Sequence, residues 1–345
     1  MGLSGTIPSL KNLSFLVELN LSSNSFHGEL PKELVQLRRL RILDLSSNEL
    51  EGGVPIWIGD LSQLQYLDLG NNKLSGSIPP QMISNLSSLE VLSLSYNTLS
   101  GEIPSSLFNI PSLREVSFKM NKLYGILPEK ICHQLPLLEL LDLSRNQFEG
   151  RIPKSIGNCT SLQVLSLYGN SFKGSIPTEI GDLSQLRLMY LGENQLSGTL
   201  SSSIFNSSML EEVYLAHNVL SGGIPEEIGH LSQLRLIYFG ENKFSGSIPS
   251  SIFNNSELLE IDFGYNNLSG RLPSNVCQGL PKLELLYLNN NNFSGKLPSV
   301  WFQCKELEAL QFSGFNGGYI PSSIGNLTNL QFLYLGDNNL QGTLF

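Results

Sequence analysis

No stretch of this chain approaches the roughly 18 consecutive apolar residues that a membrane-crossing helix needs. Its opening, MGLSGTIPSL, has neither the basic start nor the apolar core of a secretory signal. Charge is scarce, with 15% Asp, Glu, Lys and Arg, so no part reads as a solvated acidic or basic tail. The net charge of -9 argues against a nucleic-acid backbone as partner and suits a basic or neutral one. His27, His133, His217 and His230 are scattered, and no Ser or Cys stands with a base in a nucleophile motif. A phosphate loop ahead of a helix is missing, as are the Gly-rich loop with its Lys, the HRD and the DFG of a kinase. Catalysis therefore finds no support, and neither an enzyme nor a cofactor is expected. Cys132, Cys159, Cys277 and Cys304 have no Cys or His recurring beside them, which does not suit zinc or another structural metal.

What the chain has in abundance is repetition. Leu61 to Pro79, LSQLQYLDLGNNKLSGSIP, sets a frame LxxLxxLxLxxNxLxGxIP that nearly every other part copies. Its Asn recurs at Asn24, Asn48, Asn72, Asn97, Asn121, Asn146, Asn170, Asn194, Asn218, Asn242, Asn266, Asn291 and Asn338, in steps of 24 or 25 until the last. A fixed period in this range predicts a solenoid, in which each short unit buries its apolar face only by stacking on its neighbours. We read residues 1–345 as one array: 1–12 finish a partial repeat, and about fourteen strand-bearing repeats fill 13–345, the first from Leu13 and the last from Leu327.

One copy shows the physics. The Leu67/Leu69 alternation has the period of two that a half-buried strand requires, so Tyr66, Asp68 and Gly70 are expected to face solvent. The amide of Asn72 carries donors and an acceptor for backbone groups inside the turn. Gly76 permits a tight bend, and Ile78-Pro79 fixes an extended exit. Each repeat should add one strand to a parallel sheet on a concave side, with turns and 3₁₀ or helical pieces such as Ser250 to Leu258 on the convex side.

The phrases LSGSIP (Leu74 to Pro79), LSGEIP (Leu99 to Pro104) and FKGSIP (Phe172 to Pro177) resemble the plant-specific class of leucine-rich repeat. Gly325 to Gly342 and Leu272 to Gly295 resemble the ectodomains of plant leucine-rich-repeat receptor kinases, nearest the group that senses bacterial flagellin and elongation factor. The resemblance implies an α/β solenoid wound as a right-handed superhelix, recognition of a peptide or protein ligand in immune or developmental signalling, recruitment of a leucine-rich-repeat co-receptor, and a place on the outer face of the plasma membrane. It also implies a Ser/Thr kinase domain and cysteine-containing caps, neither of which this chain carries, so it reads as truncated at both ends. A secreted inhibitor resembling the polygalacturonase-inhibiting proteins, or a remnant that does not signal, is the alternative. The MGxxx[ST] myristoylation pattern at Met1, Gly2 and Thr6 is better read as the back half of a repeat.

Three sets of residues carry the functional reading. The column four residues before each ladder Asn begins Asn20, Asp44, Asp68, Ser93, Ser117, Asp142, Ser166 and continues Tyr190, Tyr214, Tyr238, Asp262, Tyr287, Gln311, Tyr334. With Tyr168, Glu193, Glu212, His217 and Glu241 beside it, this aromatic and acidic stripe is the expected binding face. Stacked tyrosines also stiffen a sheet, and the column alone does not separate the two roles. Sequons at Asn12, Asn20, Asn85, Asn158, Asn206, Asn254, Asn267, Asn292 and Asn326 predict a glycoprotein, with Asn20 placed inconveniently on the ligand side. Cys132 with Cys159, and Cys277 with Cys304, are each 27 residues apart across one repeat junction, close enough for a disulfide or for lone buried thiols.

One repeat is irregular. In Leu307 to Pro321, counting from the leucines puts Phe315 in the Asn position and counting back from the Pro puts Gly314 there, so one residue is missing and a local bulge is expected.

Overall fold

In the structure, a computed structural model, residues 2–315, 319–338 and 340 are described. They form two compact units, Met1–Phe172 and Lys173–Phe345. Position 1 of the myristoylation pattern, 316–318 of the irregular repeat and 341–345 lie outside the described residues.

In each unit the LxLxxN segment of every repeat makes a three-residue strand, and these strands pair in parallel, repeat upon repeat. In the first unit the main sheet runs through Glu18–Asn20, Ile42–Asp44, Tyr66–Asp68, Val91–Ser93, Glu115–Ser117, Leu140–Asp142 and Val164–Ser166. In the second it runs through Leu188–Tyr190, Glu212–Tyr214, Leu236–Tyr238, Glu260–Asp262, Leu285–Tyr287, Ala309–Gln311 and Phe332–Tyr334. The central residue of almost every strand is buried: Leu43, Leu67 and Leu92 are wholly inaccessible, as are Val213, Ile237 and Ile261. Each such side chain contributes about 1.5–3 kcal/mol of burial. This supplies the core that no single repeat could cover.

A second parallel sheet, which the frame did not announce, forms among the described residues on the segments that follow the ladder Asn, as far as Asn292–Phe293. Lys73–Gly76 pairs with Glu49–Gly53 and with Thr98–Gly101 in the first unit, and Val219–Gly222 pairs with Gln195–Thr199 and Lys243–Gly246 in the second. The opposite side carries short 3₁₀ turns such as Lys154–Asn158 and Ser250–Asn254, each entered from a Pro, with one α-helix among the described residues, Pro80–Asn85.

The asparagine ladder joins these layers. Asn72 Nδ2 donates to Leu69 O and Gly70 O of its own turn and to Leu45 O of the repeat before, while its Oδ1 accepts the Leu50 N–H at 2.9 Å. Asn97, Asn121, Asn146 and Asn170 repeat the pattern in the first unit, and Asn218, Asn242, Asn266 and Asn291 in the second. The residue just before the Asn adopts left-handed φ, from 50° at Glu193 to 57° at Ser23 and Met120 and 66° at Gly169. That conformation disfavours residues with a side chain by about 1–2 kcal/mol, a cost that the ladder bonds offset in every turn.

Two readings need correction. Gly70 does not face solvent: it is buried, because the side chains of Asp68 and Ser93 fold over it, 2.9 Å and 3.3 Å from where a Cβ would stand. The irregular repeat is one residue short, as counted, but takes up the loss at a different place. Phe315 N donates to Asn338 Oδ1 as the residue two past a ladder Asn does elsewhere, and its buried ring stacks on Phe293 at 5.5 Å. Phe315 thus fills the inward position after the turn and not the Asn position, so two residues are lost before it and the chain regains one by Pro321. Gly314, at φ 78°, makes the short cut possible, since a Cβ there would run into the Asn291 carbonyl oxygen.

The cysteines are bonded as neighbouring coils, Cys132 to Cys159 with Cα atoms 5.2 Å apart and Cys277 to Cys304 at 4.9 Å, one bridge in each unit.

Candidate ligand-binding face

The column before the ladder is a physical row within each unit. Asn20, Asp44, Asp68, Ser93, Ser117, Asp142 and Ser166 are consecutive register partners. So are Tyr190, Tyr214, Tyr238, Asp262, Tyr287, Gln311 and Tyr334. The two rows differ in relief, small polar side chains in the first unit and aromatic ones in the second.

In the second unit Tyr190, Tyr214 and Tyr238 lie along the sheet instead of standing up from it. Tyr190 donates its phenol proton to Glu212 of the next repeat, and Tyr238 donates to Glu260. Partial burial first, and then the adjoining carboxylate, push both phenols far above their ordinary titration. Between them, Tyr214 stacks on Tyr238 with centroids 5.1 Å apart and folds across Gly192, where any Cβ would strike its ring. Glycine at that place is what lets the aromatic row lie flat.

Asp262 follows the last of these rings. Its carboxylate accepts the Gly264 N–H at 2.8 Å and covers Gly240, and burial pushes its pKa up against that hydrogen bond. On the turn beside it, His217 Nδ1 stands 2.8 Å from Glu241 Oε2. Glu193, His217 and Glu241 all occupy the left-handed position before the ladder, so their side chains project from a fixed, strained turn. Tyr287 is half-buried, with its phenol also raised by burial. Of the expected site residues, Tyr190, Glu212, Tyr214, His217, Tyr238, Glu241 and Asp262 come together within the second unit. Tyr168 belongs to the first, where Arg145 lies over its ring at 4.9 Å and donates to its hydroxyl at 3.1 Å. Glu260 was overlooked; it occupies the strand position that Glu212 holds two repeats earlier, and that shared position was the available signal.

All nine sequon asparagines are exposed. Asn20 Nδ2 donates to Asp44 Oδ2 at 3.2 Å on the sheet face, and Asn292 Nδ2 donates to Asn267 Oδ1 at 2.6 Å on neighbouring strands of the second sheet.

A leucine-rich repeat region model matches residues 4–140, a leucine-rich repeat model 136–196, and a single-repeat model 209–231 and 282–304. The chain belongs to the leucine-rich-repeat family. No protein of curated function matches it by sequence. Among solved structures, this leucine-rich-repeat chain is similar to PEPR1 in the complex PEPR1–AtPEP1, at 33% identity and TM-score 0.95, over 100% of this chain and 49% of that one. It is similar to the plant peptide hormone receptor RGFR1 in complex with RGF2, at 34% identity and TM-score 0.89, over 98% and 54%. The Arabidopsis receptor kinase HAESA, solved with the peptide hormone IDA and the co-receptor SERK1, matches at 30% identity and TM-score 0.80, over 98% and 65%. The chain thus spans about half to two thirds of the length of these receptors. Its described residues form a repeat module, and no helix among them is long and apolar enough to cross a membrane.

Proposed function

We propose that this chain is the ligand-recognising part of a plant receptor kinase ectodomain, and that it takes a peptide on the open face of the second unit's main sheet. The observation that carries the reading is the flat row Tyr190, Tyr214, Tyr238 ending at Asp262, flanked by Glu193, Glu212, Glu241 and Glu260. A partly exposed aromatic floor with carboxylates at its sides offers apolar contact and pairing for backbone N–H groups or basic side chains. That PEPR1, RGFR1 and HAESA were each solved with a peptide partner supports the same reading.

The proposal extends to the whole protein. Both units form one array, which works outside the cell as part of a membrane receptor and, like HAESA with SERK1, joins a co-receptor after ligand binding. Exposed sequons and two disulfides support a secreted, oxidising environment. Assignment to immune sensing, and to the flagellin and elongation-factor group within it, rests on the sequence phrases of the last repeats; the peptide-hormone receptors among the structural relatives support peptide recognition in either immune or developmental signalling.

The test is titration of the secreted chain with candidate peptides, comparing wild type with Tyr190→Ala/Tyr238→Ala. The double variant should lose at least ten-fold in affinity while keeping its melting temperature within a few degrees. Equal affinity would remove the aromatic row from the site.

A further inference from the structure

The first unit holds a cavity that the peptide reading does not use. Where the second unit lays tyrosines along its sheet, the first has Asp68, Ser93 and Ser117 in the same column, and the space so left is an open trough of about 500 Å³. That volume lies within the range of small-molecule clefts. Hydroxyls dominate its floor: Ser95 and Ser117 share a hydrogen bond of 2.7 Å, which leaves lone pairs on both oxygens free to accept from a guest. Asp68, partly buried, folds back over Gly70 and accepts its N–H at 2.7 Å. At the rim Tyr96 is 47% exposed, with Lys119 Nζ 5.6 Å from its ring centroid.

We propose that this trough is a binding site for a neutral oligosaccharide, separate from the peptide face. Sugar hydroxyls each donate and accept, and need donors and acceptors interleaved at short range; Ser95 and Ser117 supply both, Asp68 accepts and Lys119 donates. The C–H faces of a sugar ring pack against an aromatic flank, which Tyr96 provides. A peptide would find no aliphatic pocket for its side chains, as Tyr96 is the one large apolar group in the lining. An acidic sugar would meet Asp68, with Asp44 in the adjoining register position.

The experiment is calorimetric titration of the full chain with cellohexaose and with laminarihexaose, and in parallel with a hexagalacturonate and a Gly-Ser hexapeptide. At least one neutral hexasaccharide should bind with Kd on the order of 0.1–1 mM. Ser93→Tyr, which fills the trough as the second unit is filled, and Tyr96→Asn, which suits the left-handed backbone at φ 54° while removing the ring, should each weaken it ten-fold or more. Circular dichroism melts identify which variants are folded. The proposal fails if neither neutral hexasaccharide binds at about 10 mM, if only the galacturonate or the peptide binds, or if a folded variant binds the sugar as the wild type does.

Discussion

Tyr214 lies on Tyr238 with ring centroids 5.1 Å apart and planes inclined by 26°, and it can do so because residue 192 beneath it is glycine. The pair should therefore be energetically coupled. A double-mutant cycle on Tyr214→Leu and Tyr238→Leu, read by urea unfolding, is expected to give a coupling of about 0.5–1.5 kcal/mol. Additive losses would mean that the two rings share a surface without interacting.

Removing a ladder amide should cost far more than removing an exposed one. Asn97 accepts from Leu74 N and donates to Leu69 O, Leu94 O and Ser95 O, all shielded from water. Asn97→Ala orphans those groups at about 1–3 kcal/mol each for the ones that water cannot reach. Asn12→Ala, on an exposed turn, should stay within about 0.5 kcal/mol of wild type. Calorimetric melting of the two variants side by side checks the contrast.

The short cut in the irregular repeat depends on one missing Cβ. Gly314→Ala sets a methyl against the Asn291 carbonyl and should destabilise by about 2–4 kcal/mol. Gly76→Ala, at a similar φ of 76° but with open space around it, should lose only the backbone term of about 1–2 kcal/mol. If both variants melt together, the Phe315 register is not fixed by that contact.

Asp262 makes stability depend on pH in an uncommon direction. Burial raises its folded pKa, so above the ordinary carboxyl value of about 3.9 the folded chain holds the proton that the unfolded chain has released. Its contribution is thus favourable in acid and is lost as pH rises through the raised value. Asp262→Asn keeps an acceptor for the Gly264 N–H and should flatten that part of the profile, gaining stability at pH 7 relative to pH 4. Urea midpoints at the two pH values measure it, and parallel profiles would assign the effect elsewhere.

Much of this was legible because the repeat turns distant text into neighbours. The Asn spacing and the Leu alternation specify the main sheet and its register, so Tyr190, Tyr214 and Tyr238 could be aligned from sequence alone. Other features follow from side-chain direction, which spacing does not encode. That Gly70 and Gly192 lie under their neighbours' side chains, and that Tyr190 and Tyr238 reach for Glu212 and Glu260, depends on which way each chain leans. The second sheet was hidden because LxG segments read as turn chemistry, and Phe315 was misplaced because a count cannot see the backbone skip a rung.

Each disulfide fastens one coil to the next, Cys132 to Cys159 in one unit and Cys277 to Cys304 in the other. In an assembly where every layer leans chiefly on its immediate neighbours, damage or mechanical pull peels layers away in sequence from a free end. The two rivets act as brakes on such unravelling: a tear that reaches one meets a pair of coils that can open only as a closed loop, which raises the cost of that step by about 3–4 kcal/mol.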